Sequence, residues 1–524
     1  MVDASCPPLA LRERPTSLNL TAYCLDHWAR VAPHREALRV LYGVGPAAPR
    51  PRAFTYGEVD RTVRAYAAVF ARQGLAPGDR IFIRLANDAP YVFAFFGAMA
   101  GGFVPVPASD QLSDREVADL IADCAPSLVV SDFKVASVTP LPRIGSTDLA
   151  SQAHSVDPPP YAAMRPDDPA FLIYTSGTTG RPKGVLHAHR SIWGRRPMFA
   201  GWHDLTSDDR LLHAGAFNWT YTLGVGLSDA WTAGATALLF AGDRNPEVWP
   251  DLIAQENATI FCAVPSLYRQ ILKYGKNLRA RLASLRHGLT AGEALTQELR
   301  STWDNTVGVP LFEALGMSEV STFISCSPSV PVRPGSPGRA QAGRRVCVLP
   351  EDTQGTDPLP ANRIGLLAVH ASDPGLFLGY WKRPEEEAAV FRGAWFIGGD
   401  RVSMDEAGYI THHGRANDVM NAFGYRVAPQ EVEAALLQHP AVQDCAVAEH
   451  QVREDVSVIA AWIVATTPHP SADALEAFLT TRLAAYKHPR AYHFVSTLPR
   501  TRTGKLQRRA LQDPAYSTQN EAGN

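Results

Sequence analysis

Tyr174-Thr175-Ser176-Gly177-Thr178-Thr179-Gly180-Arg181-Pro182-Lys183-Gly184 is the stretch on which the reading of this chain turns. An apolar run, Ala170 to Ile173, leads into it and has the composition of a buried strand. The chain then changes to hydroxyls and glycines, which cannot fill a hydrophobic interior. Glycine lets the backbone curl, so that successive N–H groups can face one anion. The hydroxyls of Thr175, Ser176, Thr178 and Thr179 add side-chain donors, and Lys183 adds a point charge. Such a loop is built to hold polyphosphate. It differs from a Walker A loop, which needs Gly-Lys-Ser/Thr four residues after a glycine, and it lacks the G-x-G-x-x-G of dinucleotide sites.

Working outward, 524 residues are too many for one ordinary core, so at least two domains are expected. The net charge of −2, with 19% charged residues, offers no single-sign field to draw nucleic acid or a membrane. The cysteines are scattered without a C-x-x-C pair, which disfavours zinc and a disulfide framework and fits a reducing compartment. Met1-Val2-Asp3 has no basic leader and the C-terminus is no peroxisomal address, so a cytoplasmic location is expected. Tyr91 to Ala108 is uncharged, but Gly101-Gly102 and two prolines divide it into a helix and a strand.

Residues 1–50 read as loop and helix, with Gly43 to Arg52 a turn region. An amphipathic helix then runs to about Gln73, followed by strands at Ile81–Leu85, Phe103–Val106 and Ser127–Ser131 with helices between them. This alternation is the mark of parallel sheet. Residues 134–165 read as a long connection. Beyond Lys183 the alternation resumes, with a helix at Ser191–Ala200, a strand end at Arg210–His213 and a small-residue helix at Thr222–Ala233. Two strands end on Thr290-Ala291-Gly292-Glu293 and on Leu315-Gly316-Met317-Ser318-Glu319. Ligands in open α/β sheets sit beyond the carboxyl ends of strands, so these turns and Thr175 are expected to meet at one crevice. From Ser336 to Ala371 the texture suits a β-subdomain, and the last hundred or so residues suit a compact α+β unit with a basic tail.

The order of these motifs from Phe54 to Arg509 resembles the adenylate-forming superfamily: acyl-CoA synthetases, peptide-synthetase adenylation domains and luciferases. The resemblance implies an α/β fold. A large N-terminal domain, 1–416, would hold parallel sheets flanked by helices plus a β-subdomain and bind acid and ATP. A small mobile α+β domain, 417–524, would carry a catalytic lysine. It assigns ATP binding to Thr175, Ser176, Gly177, Thr178, Thr179, Gly180, Lys183, Gly292, Glu293, Ala314, Leu315, Gly316, Met317, Asp400 and Arg415. Ser318 would hold a phosphate, Glu319 Mg²⁺, Asp400 the ribose hydroxyls, Lys505 the α-phosphate, and Asn417 would be the hinge. His213, Phe217, Asn218, Trp219, Tyr221 and Thr222 would form the acid pocket, with Asn218 among aromatics hinting at a ring-shaped acid bearing a polar atom.

The sequence departs from the family pattern at Leu315, where a tyrosine is usual, at Gly398 for threonine, at Asn417, and at Phe423 before Gly424-Tyr425-Arg426. The implied activity is ATP-dependent conversion of a carboxylic acid to acyl-AMP, then transfer to CoA. The acid would be aromatic, alicyclic or medium-sized. An amide-bond synthetase resembling coronafacate ligase, with an amine as acceptor, is the alternative that Phe423 motivates. A binding protein that has lost catalysis is a third reading, disfavoured by the retained Lys505 and Glu319. Monomer and homodimer both remain open.

Overall fold

The computed structural model describes residues 15–135, 141–175, 182–243, 245–293, 295–351, 354–415, 420–422, 425–453, 456–466, 469–499, 506 and 508–511. The helix Tyr56–Arg72 begins where its sequence says it should. Thr55 and Glu58 form a reciprocal capping box, and Val59, Val63, Tyr66 and Phe70 repeat along one face and are buried. The helix Ala89–Ala100 is apolar on all sides and buried along its length. A second capping box, Ser113 with Glu116, opens the helix Asp114–Cys124.

The main sheet has fourteen strands among the described residues. In spatial order its path runs Val346–Leu349, Gly365–His370, Trp395–Met404, Tyr409–Arg415, Gly338–Ala340, Ser321–Ser325, Leu311–Met317, His287–Ala291, Ile260–Ala263, Arg210–His213, Thr236–Phe240, Glu36–Leu41 and Arg52–Thr55. From Leu311–Met317 to Glu36–Leu41 every pairing is parallel. From Leu311–Met317 toward the other edge the pairings are antiparallel. A parallel four-stranded sheet carries Val104–Pro107, Arg80–Arg84, Leu128–Ser131 and Arg143–Ile144. An antiparallel one joins Gly379–Tyr380, Lys183–Ala188 and Pro169–Thr175. After Met420, Val442–Arg453, Val456–Ala465 and Ala491–Phe494 form a sheet backed by the helices Pro429–Leu436 and Ala472–Thr480, with its own core around Val447, Ile463 and Leu475.

Several expectations need correction. Residues 1–50 are not loop and helix only. Glu36–Leu41 is a strand inside the main sheet, burying Ala37, Leu38, Val40 and Leu41 while Arg39 pairs with Glu256. Residues 134–165 contain the short strand Arg143–Ile144 and the helix Ser146–His154. The small-residue segment from Thr222 is a π-helix to Asp229 before it becomes α-helical, and the Ser191 helix is α only to Gly194. Leu315, Gly316 and Met317 lie in the strand Leu311–Met317 rather than in a turn. The strands of the expected β-subdomain extend the main sheet.

Candidate active site

Two of the main sheet's parallel strands, His287–Ala291 and Leu311–Met317, deliver their carboxyl ends to one cavity of about 960 Å³. His287–Ala291 ends there in Gly292, whose φ of +91° is a backbone conformation that glycine adopts without a Cβ penalty. Beside it, Ala314 to Ser318 line the wall. A Cβ on Gly316 would sit 2.5 Å from the Ser321 carbonyl, so this hairpin can close only on glycine. The Glu293 carboxylate accepts from the Ser266 N–H (3.0 Å) and hydroxyl (3.1 Å), tying the turn to the start of the helix Pro265–Tyr274. Below, Glu313 is buried and accepts from the Leu295 N–H (3.0 Å); burial pushes its carboxyl up to about 7.

The turn after Met317 is held from behind. His187, stacked on Phe171 with centroids 4.7 Å apart, puts Nε2 2.8 Å from the Ser318 carbonyl. Burial pulls its imidazole down to about 4, so at neutral pH it is uncharged and donates through that Nε2–H. Glu319 accepts from the Tyr380 hydroxyl (2.8 Å). Asp400 lines the cavity at 2% exposure, 3.1 Å from His412 Nε2.

The opposite wall begins at Thr175, the last residue of its strand, paired in register with Lys183. The Tyr174 hydroxyl donates to Asp123 (2.5 Å), and Arg383 takes the other carboxylate oxygen (2.5 Å). Lys183 Nζ lies 2.5 Å from Glu386 Oε2 and 5.2 Å above the Tyr380 ring.

Asn218, Trp219, Thr220 and Tyr221 close a third side. The Tyr221 hydroxyl accepts from the Cys262 thiol (2.9 Å), and burial pushes its phenol well above the ordinary range. Asn218 Oδ1 is buried with no hydrogen-bond partner among the described residues. Phe217, His213 and Thr222 are not cavity-lining: Phe217 packs on Tyr91 in the core, His213 accepts the Gly215 N–H through Nδ1 (2.9 Å), and Thr222 is buried in the π-helix. The cavity runs on to the C-terminal unit. There Trp219 meets Tyr425 edge-on (4.9 Å), and Tyr425 stacks on Tyr486 (4.0 Å). Lys487 Nζ donates to Glu116 Oε1 of the large unit (2.7 Å) and to Glu431 Oε1 of its own (2.6 Å). Burial pushes the Glu431 carboxyl up. Burial alone would lower the Lys487 ammonium, but Glu431, the Tyr486 phenol and Glu116 hold it well above its ordinary range. Facing two carboxylates, the lysine stays charged.

Thr175, Gly292, Glu293, Ala314 to Ser318, Asp400, Asn218, Trp219 and Tyr221 are thus brought together, with Lys183 and Glu319 at the margin. Ser176, Gly177, Thr178, Thr179, Gly180, Asn417 and Lys505 lie outside the described residues, as does the Arg415 side chain. His187, Tyr380, Asp123, Arg383, Glu386 and Lys487 were not singled out from sequence. His187 follows Lys183 closely, and strand alternation from that lysine could have placed it on the inner face.

Residues 25–381 match the AMP-binding enzyme family, and 431–505 match the AMP-binding enzyme C-terminal domain. The chain belongs to the AMP-binding enzyme family. Within this adenylate-forming superfamily it is an AMP-forming acid–thiol ligase. It is 30% identical over 499 residues to a 3-hydroxybenzoate–CoA/4-hydroxybenzoate–CoA ligase of Thauera aromatica, covering 89% of this chain and 93% of that protein. A double mutant of the Bacillus subtilis o-succinylbenzoate CoA synthetase, bound with its product analogue OSB-NCoA, superposes with a TM-score of 0.82 at 25% identity, covering 95% of this chain and 98% of that one. The anthranilate CoA ligase AuaEII in complex with anthranoyl-AMP gives 0.70 at 27% identity, over 96% and 99%. Like these AMP-binding enzymes, the chain pairs a large sheet domain with a smaller C-terminal one.

Proposed function

We propose that this AMP-binding enzyme joins an aromatic acid bearing a hydroxyl or amino substituent to CoA, by way of the acyl-AMP anhydride. The observation that carries the substrate class is Asn218 Oδ1, a buried acceptor at the cavity wall that lacks a donor among the described residues. A buried polar group without a partner costs about 1–3 kcal/mol, which a phenolic O–H or aniline N–H would recover. The Trp219 and Tyr221 rings beside it suit a flat substrate. The relation to hydroxybenzoate and anthranilate ligases supports the same class.

In this reading adenine lies along Gly292 and Leu315, and Asp400 accepts from the ribose hydroxyls, with His412 fixing its carboxylate. The acid carboxylate attacks the α-phosphate and pyrophosphate leaves. No protein nucleophile is required; the chain positions the reactants and offsets charge on phosphorus. His187 orients the Ser318 backbone, so that Ser318 and Glu319 face the phosphates together. Lys183 meets the outer phosphates and Lys505 the α-phosphate. Mg²⁺ typically binds through one or two carboxylates plus substrate phosphates. Glu319 suits that mode, and among the described residues no cluster of three or more His, Cys, Asp or Glu side chains forms a closed metal cage. The ion would neutralise phosphate charge that repels the incoming carboxylate. The thiol of CoA then takes the acyl group and AMP leaves. We place the boundary between the acid- and ATP-binding domain and the mobile domain at 416/417.

Pyrophosphate release across a panel of substituted and unsubstituted benzoates, with and without CoA, tests this. Hydroxy- and amino-benzoates should release pyrophosphate fastest and yield a thioester with CoA. Equal rates for unsubstituted and substituted rings would remove the role of Asn218. Adenylate consumed by an amino acid but not by CoA would overturn the acceptor.

A further inference from the structure

We propose that Glu386 is a built-in counter-anion for Lys183, occupying the lysine in place of the outer phosphates of ATP and helping to displace pyrophosphate. The inference rests on the reading of Lys183 as a phosphate ligand. The ammonium and the Glu386 carboxylate are 2.5 Å apart, yet Oε2 receives no aligned hydrogen bond from the described residues, so the pair is held by proximity of charge alone. The helix that carries Glu386, Pro384–Ala389, buries none of its residues and has Glu385, Glu386 and Glu387 in its first turn. A helix without a core anchor can shift at little cost, and three adjacent carboxylates repel an arriving polyphosphate. Arg383, whose Nε is 3.7 Å from Glu386 Oε1, is committed to Asp123 and offsets only part of that charge. The same ammonium lies over the Tyr380 ring, whose hydroxyl donates to Glu319. Both groups read as triphosphate ligands are therefore satisfied internally before nucleotide arrives. When ATP binds, its phosphates must displace Glu386 from Lys183. When pyrophosphate forms, Glu386 competes for the lysine again and favours departure.

The test compares Glu386→Gln with Glu385→Gln, an exposed neighbour on the same helix, using calorimetric titration with inorganic pyrophosphate and with MgATP, alongside steady-state kinetics. The pair is partly exposed, so its worth is modest. Glu386→Gln should bind both anions about two- to fivefold tighter, show pyrophosphate inhibition strengthened by the same factor, and leave the KM for the acid unchanged. Glu386→Asp, with a shorter reach, should fall between wild type and Gln. Unchanged or weaker affinity in Glu386→Gln overturns the proposal, and so does an equal gain in Glu385→Gln, which would reveal a general charge effect. If wild type releases pyrophosphate in response to acid and Glu386→Gln behaves identically, only the counter-anion fails. If wild type binds neither pyrophosphate nor MgATP, the phosphate-site reading fails with it.

Discussion

One wall of the cavity is held by sheet and the other by charge. On the sheet side, His287–Ala291 and Leu311–Met317 are paired in register over a continuous core, and their strand ends carry Gly292 and Ser318. On the other side, Tyr174, Asp123, Arg383, Lys183 and Glu386 meet through ion pairs on short elements, and Lys487 ties the C-terminal unit to Glu116. Close-packed sheet fixes positions and changes little with ligand or salt. Ion pairs can be exchanged for phosphate charges, so this second wall is the one able to respond to substrate.

The comparison can be broken at its most buried charged contact first. Lys487→Ala leaves two carboxylates without their ammonium and should cost about 3–5 kcal/mol in thermal or denaturant unfolding, with most of the loss restored by Lys487→Arg. A loss below about 1 kcal/mol would mean that the contact is solvated and contributes little. Asp400→Ala, at the far end of the sheet-held wall, should raise the ATP requirement by the worth of a charged hydrogen bond, about 1.5–3 kcal/mol, in steady-state kinetics. An unchanged requirement would place the ribose elsewhere.

Glu313 sharpens the contrast, because it is a carboxylate inside the sheet-held wall. Its folded pKa is raised from 4.5 to about 7 by burial, so its contribution to stability is complete below the unfolded value and is lost as pH rises through 7. Glu313→Gln should therefore gain on wild type by on the order of 3 kcal/mol between pH 4.5 and 7.5, read from unfolding curves across that range. A constant difference would show that Glu313 is ionised throughout. The smallest effect is expected from Asn218→Leu, which should shift selectivity from hydroxybenzoate toward benzoate by about 1–2 kcal/mol in kcat/KM ratios. No shift would place the ring substituent away from this residue.

Much of this was legible in the sequence because the relevant signals were local. The helices after Thr55 and at Asp114 stand where the sequence places them, and Gly292 and Gly316 marked two strands whose ends meet at one cavity, although Gly316 itself lies within its strand. What escaped was set by partners distant in the chain. Glu36–Leu41 is too short and too mixed in polarity to announce itself, and it becomes a strand because Thr236–Phe240 offers it a parallel edge. Arg143–Ile144 depends in the same way on Leu128–Ser131. The π-helix at Thr222 follows no local pattern: glycines there allow Arg195 to pass close to Gly224 and reach Asp229. Glu386 and Lys487 looked like ordinary charged surface residues, since their partners lie far away in sequence. Phe423, which motivated an amine acceptor, lies outside the described residues, and the relatives favour CoA.

The central claim is that one cavity holds the nucleotide and the acid together, and a crystal soaked with a hydroxybenzoyl-AMP analogue tests it most directly. The account predicts adenine between Gly292 and Leu315, ribose hydroxyls on Asp400, and the ring hydroxyl within hydrogen-bond reach of Asn218. Nucleotide bound away from Thr175 and Glu319, or a ring pointing away from Asn218 and Tyr221, would contradict it.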